Sequence, residues 1–145
     1  MRRYISVNTP TENKQVIRDF IQTVWISHNL AALPRFWTTD CVNHAMPGEQ
    51  NHGLDALQAY HQEFMQQFAA FSSVHIELLQ QIAENDRVVT HTLTHGRHTG
   101  LFAGIAPSGK TVSLFTIRID RIEDGKIVEH WSVADLAGLM QQLGT

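Results

Sequence analysis

Residues 123–135, EDGKIVEHWSVAD, hold the densest chemistry of the chain. Successive side chains of a strand point to opposite faces, so a strand here puts Ile127, Glu129, Trp131, Val133 and Asp135 on one side. If that is the inner side, two carboxylates share it with the largest aromatic ring, and Asp135 sits in an apolar hollow. A carboxyl buried without a cationic partner has its pKa raised toward neutrality, where it can take and return protons. A second reading stays open: Asp135 directly precedes the last apolar-periodic segment and can cap a helix, with an ordinary or lowered pKa. Trp131 reads as core packing or as a platform for a flat ligand, and Glu129 as a second polar contact or a solvated charge at the mouth. His130 falls on the opposite face, in solvent or at a subunit contact.

Nine histidines raise the question of a metal. His91 and His95 have the four-residue spacing that joins two ligands on a helix, but the surrounding Val and Thr residues indicate a strand. Residues four apart on a strand stand about 13 Å from each other, too far to share one zinc. No compact ligand set emerges, so no metal is expected.

Around these residues the apolar periodicity changes once. Thr9-Pro10-Thr11-Glu12 fits a capping box with proline at the first helical position, and Val16, Ile17, Phe20, Ile21, Val24 and Trp25 predict a helix over about 10–27. Asn29 is placed to cap a short second helix carrying Leu30, Leu33, Phe36 and Trp37, with Pro34 deeper in it than proline prefers. Leu57, Tyr60, Phe64, Phe68 and Phe71 predict a third helix over about 53–70. From Ser72 the period becomes two, giving strands from 72 to the Asn85-Asp86 turn, over 87–99 and over 110–122, the last two joined by a mobile loop with three glycines and Pro107. Asp124-Gly125 is a hairpin signal into the last strand, and Leu136, Leu139, Met140 and Leu143 close the chain as a short helix. Three helices before four strands predict an α+β fold in which the helices cover one face of a curved, mainly antiparallel sheet.

At 145 residues the chain is expected to form one domain, 1–145. A net charge of −3 with 11 scattered Lys and Arg residues leaves no basic stripe for nucleic acid. Cys41, the lone cysteine, reads as a small buried hydrophobe from a reducing compartment. Met1-Arg2-Arg3 is similar to the start of a signal peptide, but no apolar run follows through Asn8, Thr9, Pro10 and Glu12, and no run reaches membrane-spanning length. A cytoplasmic protein without a membrane partner is expected.

The run NHAMPG at 43–48, GRHTG at 96–100 followed by GIAPSGK at 104–110, and DGKIVEHW at 124–131 with Asp135 four residues on together resemble the SnoaL-like polyketide cyclase and ester cyclase group of the nuclear-transport-factor-2-like superfamily. The resemblance covers roughly residues 13–143. It implies a cone-shaped α+β barrel, its curved sheet wrapped around three N-terminal helices and a deep apolar pocket. In the cyclases that the chain resembles, an acidic residue at the end of the last strand takes a proton from a carbon between carbonyls, and an intramolecular aldol closure follows without metal or cofactor. Asp135 matches that position. His44 lies in the segment where related isomerases place their base. His91 and His98 are candidate donors to the enolate oxygen, since an imidazole can donate to developing oxygen charge. Leu101, Ala106 and His28 depart from the family's usual acidic residue, proline and glycine.

Three functions follow as expectations. The chain is a cofactor-independent cyclase, lyase or isomerase acting on a hydrophobic carbonyl compound, with Asp135 and His44 catalytic and Trp131, His91, His98 and Glu129 binding substrate. Alternatively, it is a non-catalytic pocket protein that sequesters an apolar small molecule. The third is an interaction or assembly module that uses the outer sheet face, where Thr90, Thr92 and Thr94 offer a flat β-branched surface for a homodimer; such pairing is compatible with either of the other two.

Overall fold

The computed structural model describes residues 8–49 and 51–144; Met1-Arg2-Arg3 lies outside them. Helix α1 (Pro10–Phe20) opens with the expected capping box: Thr9 Oγ1 accepts from the Glu12 N–H at 3.1 Å, and the Thr9 N–H donates to the Glu12 carboxylate at 3.3 Å. The helix continues as a π-helical segment over Ile21–Ile26, a wider turn that often accompanies functional sites. His28 then stands at φ 55°, the left-handed region that glycine enters without penalty.

The second helix differs from expectation. Asn29 makes no side-chain cap, Leu30–Ala32 form a 3-10 turn, and α2 is confined to Leu33–Phe36 with Pro34 in its first turn, where the missing N–H costs nothing. Trp37 begins a strand, β1 (Trp37–Asn43), that the helical spacing of Leu33, Phe36 and Trp37 concealed. Helix α3 (Leu54–Phe68) follows, then β2 (Phe71–Glu84), β3 (Arg87–His98), β4 (Thr111–Glu123), β5 (Lys126–Ala134) and α4 (Leu136–Gln142). Asp124 and Gly125, at φ 50° and 76°, make the tight β4–β5 hairpin turn.

The five strands form one open, mixed sheet in the order β1-β5-β4-β3-β2, with β1 parallel to β5 and the other pairs antiparallel. The α+β expectation holds: the curved sheet wraps α1–α3 as a cone. The core lies between them, where Ile17, Phe20, Val24, Leu33, Trp37, Leu57, Val88 and Ile127 are at most 2% exposed. Cys41 is buried in the same core, as its reading as a small hydrophobe requires.

Two details of the sheet decide which side chains face inward. On β3 the inner row is Val88, Thr90, Thr92 and Thr94, so the threonines expected at a dimer surface instead face the helices. Between β4 and β5 a bulge lets two residues of β5 advance against one of β4, since Arg121 pairs with Glu129 and Ile122 with Ile127. Alternation breaks there, so Ile127 and His130 are both buried, and the inner row continues as His130, Ser132 and Ala134.

Phe20 ties the halves of the cone together, with ring contacts to Phe36, Trp37 and His61 and the Arg118 guanidinium over its face at 4.9 Å. Phe20→Ala is expected to cost about 3–5 kcal/mol in a urea titration without loss of cooperativity.

Candidate functional site

The bulge reverses the expected geometry of β5. Trp131, Glu129 and Asp135 lie on the outside of the sheet, away from the helices. His44 joins them there: its ring stacks on Trp131 at 4.9 Å and 8°, and its Nε2 is 2.8 Å from Glu129. Arg121 bonds the same carboxylate at 3.0 Å, and Arg87 lies over the Trp131 ring at 5.7 Å. Hydrogen bonds from His44 and then Arg121 hold the Glu129 carboxyl below its ordinary value. Three of the residues expected at a pocket are thus gathered, but on the outer surface.

Asp135 takes the capping role that its position left open. It is exposed, and its Oδ1 accepts from the Gly138 N–H at 2.8 Å at the start of α4. Its neighbours Phe115, Ile117, Val133 and Leu136 form a shallow apolar depression on the outer surface, separate from the interior of the cone. His91 also points outward, 3.2 Å from Gln80 and 4.3 Å from the Phe115 ring centroid. His98 is fully buried but serves the 99–110 loop: its Nδ1 accepts from the Ser108 N–H at 3.2 Å, which ties the loop back to β3. That loop supplies Phe102, packed on Phe68 and Phe71.

The interior of the cone is a cavity of about 1110 Å³. Trp25, Trp37, Tyr60, Phe64, Phe68 and Phe71 give it aromatic walls, and Val112, Leu114 and Leu139 an apolar end. The alternation of β4 turns Thr116, Arg118 and Asp120 inward, the first two onto the cavity and Asp120 buried behind its wall, while Phe115, Ile117 and Ile119 go to the outside. That inverted pattern, polar inward and apolar outward, was the available signal for a site, and the sequence reading passed over it.

Asp120 is wholly buried, and the register sets it beside His130. Arg118 grips it with two bonds, Nε to Oδ2 at 2.7 Å and Nη2 to Oδ1 at 2.9 Å, and His130 Nδ1 lies 2.7 Å from Oδ1. Burial pushes the carboxyl up, but the Arg118 charge and the bonds from Arg118 and His130 outweigh it, and Asp120 is held well below the usual carboxylate range. A carboxylate only accepts, so Nδ1 of His130 carries the ring proton. Burial is the main force lowering the His130 pKa; the Arg118 charge acts in the same direction and Asp120 opposes them. The ring is therefore neutral at pH 7, and its Nε2, with no partner among the described residues, presents a lone pair to the cavity that His130 lines.

Two donors flank that nitrogen. Arg118 lines the cavity, and its Nη1 is not used in the ion pair. Asn43, beside His130 on the neighbouring strand, accepts from the Ala45 N–H at 2.9 Å through Oδ1, and its Nδ2 bonds no group among the described residues. Asn43 opens the NHAMPG run, in which His44 drew notice although only its neighbour turns inward. Among the described residues, no three His, Cys, Asp or Glu side chains converge as a metal site requires.

A second neutral imidazole lies against Trp37. His61 of α3 donates Nδ1–H to the Leu57 carbonyl at 2.9 Å, and burial, the largest influence, lowers its pKa to about 4. Above pH 6.5 folded and unfolded chains both hold this ring neutral. As pH falls, the unfolded ring takes a proton that the folded one refuses until about 4. Stability is expected to decline by roughly 3 kcal/mol between pH 6.5 and 4 from this group alone, and His61→Phe should flatten that part of a stability-against-pH curve.

The profile of the SnoaL-like polyketide cyclase family matches residues 15–143. Two curated relatives are similar over part of their length: nogalonic acid methyl ester cyclase of Streptomyces nogalater, 35% identical over 57 residues, and aklanonic acid methyl ester cyclase DnrD of Streptomyces peucetius, 31% identical over 77. These matches cover 39% and 53% of the chain and 42% and 53% of those proteins, so the chain spans about half the length of the curated relatives it matches. Among solved structures, IdmH of Streptomyces antibioticus is 26% identical with a TM-score of 0.76, over 92% of this chain and 99% of that one. TsrD of Streptomyces laurentii, at 24% identity and a TM-score of 0.76 over 94% and 98%, shares the fold.

Proposed function

The chain belongs to the SnoaL-like polyketide cyclase family, and from that premise we propose that it catalyses an intramolecular aldol-type ring closure of a hydrophobic polyketide ester, with His130 as the base. The observation that carries this reading is the His130 Nε2 lone pair facing the cavity, its ring oriented by the buried Asp120 carboxylate. Nε2 takes a proton from a carbon next to a carbonyl, and the enolate oxygen that forms is met by Arg118 Nη1 and Asn43 Nδ2. The enolate carbon attacks a second carbonyl carbon of the same molecule, a C–C bond forms, and the new alkoxide takes the proton back from Nε2. Atoms balance within one substrate, so the reaction draws on the chain's own residues alone. Asp120 is a positioning residue: it fixes the tautomer and steadies the imidazolium, and it does not reach the substrate.

Nogalonic acid methyl ester is a suitable probe, with ring closure followed by absorbance and loss of the activated C–H into D₂O by NMR. His130→Gln is expected to lower both rates by about 10²–10⁴-fold. In the wild type the acid limb of the rate profile should fall below pH 6.5, since the neutral ring is the active form and its pKa is lowered. Asp135→Ala, which removes a helix cap, should cost about 1 kcal/mol of stability and leave turnover unchanged. Full activity in His130→Gln would sink the proposal. Tight binding of the ester with neither closure nor exchange would favour a carrier of apolar small molecules.

We further propose that two copies pair through the outer face of the sheet. Phe115, Ile117 and Val133 are 39, 37 and 74% exposed there, with Arg87 and Arg121 set among Glu77 and Glu129, so a two-fold arrangement can meet apolar with apolar and basic with acidic side chains. Sedimentation velocity is expected to show a dimer that Val133→Glu converts to a monomer with its fold intact; a wild-type monomer would refute the pairing. A cytoplasmic site of action suits the unpaired thiol of Cys41, and no helix among the described residues is long and apolar enough to cross a membrane.

A further inference from the structure

The proposed chemistry uses one side of the cavity, the inner rows of β1, β4 and β5, and leaves His61 on α3 without a task. The Leu57 carbonyl can only accept, so the 2.9 Å contact fixes the proton on Nδ1 of His61. In the neutral ring Nε2 is then an acceptor alone. Its surroundings are aromatic: Trp25, Tyr60, Phe20 and Trp37 have ring centroids 4.9, 5.9, 6.1 and 6.2 Å from that of His61. No donor among the described residues bonds Nε2, although His61 is only 3% exposed and lines the cavity. The nearby Arg118 charge opposes protonation of the ring, so this acceptor does not become a donor at neutral pH.

Nε2 opens onto the cavity, so a ligand that fills this space closes the acceptor off: one that brings an O–H satisfies it, whereas one that brings only carbonyl or ether oxygen leaves it without a donor. We infer that His61 Nε2 accepts a hydrogen bond from a free hydroxyl of the ligand, so that the cavity takes a hydroxylated polycyclic carbonyl compound in preference to its O-alkylated form. The inference rests on the reading of the cavity as the ligand site and adds a specificity-determining residue to it. The arrangement is polar in one sense: donors from Arg118 and Asn43 meet carbonyl oxygen at the sheet, while the acceptor on α3 meets the hydroxyl, with the Trp37 ring against both His61 and His130 at 6.2 and 5.6 Å. A flat molecule with its carbonyl and hydroxyl at different edges satisfies both ends at once, and the reversed orientation satisfies neither.

The test compares 2-hydroxyanthraquinone with 2-methoxyanthraquinone at pH 6, where the phenol keeps its proton, by quenching of tryptophan fluorescence. The wild type is expected to bind the hydroxy compound about tenfold more tightly. His61→Phe should abolish that preference while keeping its affinity for the methoxy compound, and His61→Gln, whose amide oxygen can accept, should retain part of it. Equal affinities in the wild type, or a preference that survives His61→Phe, would overturn the inference. Failure of both probes to bind while the wild type still exchanges the ester C–H would overturn it too and leave His130 as base untouched. A His61-dependent preference in a protein that performs no exchange would uphold the inference and count against the base alone.

Discussion

A charge buried in the cone must be matched, and the Asp120 carboxylate is the charge on which this interior is organised. It is wholly enclosed, and two bonds from Arg118 and one from His130 offset the desolvation that would otherwise neutralise it. Those bonds do more than settle a charge. They hold the guanidinium against the Phe20 face, fix the imidazole tautomer and turn its free nitrogen toward the cavity. Each partner is then committed: Arg118 cannot swing away without stranding Asp120, and His130 cannot flip without losing its acceptor. An apolar substitute for the cluster would pack as well and orient nothing.

The sheet has two chemically distinct faces, and neither resembles the usual pattern of apolar in and polar out. Inside, Thr92 and Thr94 of β3 and Thr116 and Arg118 of β4 line one side of a space whose apolar walls come chiefly from the helices, with Phe102 from the 99–110 loop. Outside, Phe115, Ile117 and Val133 stand beside an ordered lattice of ring stacks and ion pairs built on His44, Trp131, Glu129 and Arg121. Under the proposed readings both faces have one cause: a wall that meets a ligand relaxes the demand for apolar side chains, and an exterior that pairs with a second copy raises it.

Local chemistry was legible and long-range geometry was not. The capping box at Thr9, the period of α3, the strand spans and the Asp124-Gly125 turn depend on neighbours a few residues away, and all were readable. The strand character of Trp37–Asn43 depends on a parallel partner some ninety residues later, so helical spacing prevailed in the reading. The site turned on a smaller matter. Counting alternation from Ile127 is sound until the bulge near Val128, after which every side chain changes face. That one extra residue sent Trp131 and Asp135 outward and His130 inward. The Arg118, Asp120 pair stood in plain view, but a salt bridge two residues apart on a strand looks like surface decoration until its burial is known.

The placement of the His130 nitrogen on the sheet side of the cavity has a geometric corollary for the proposed chemistry. Because His130 is pinned from behind by Asp120, its Nε2 approaches a flat ligand from one direction only, and the proton leaves and returns through the same point in space. Whichever side of the molecule lies toward β5 is the side on which hydrogen is exchanged. The handedness of a newly formed carbinol centre then follows from how the ligand lies between sheet and helix, so that the curvature of the cone, by setting that pose against a fixed nitrogen, selects the chirality of the product.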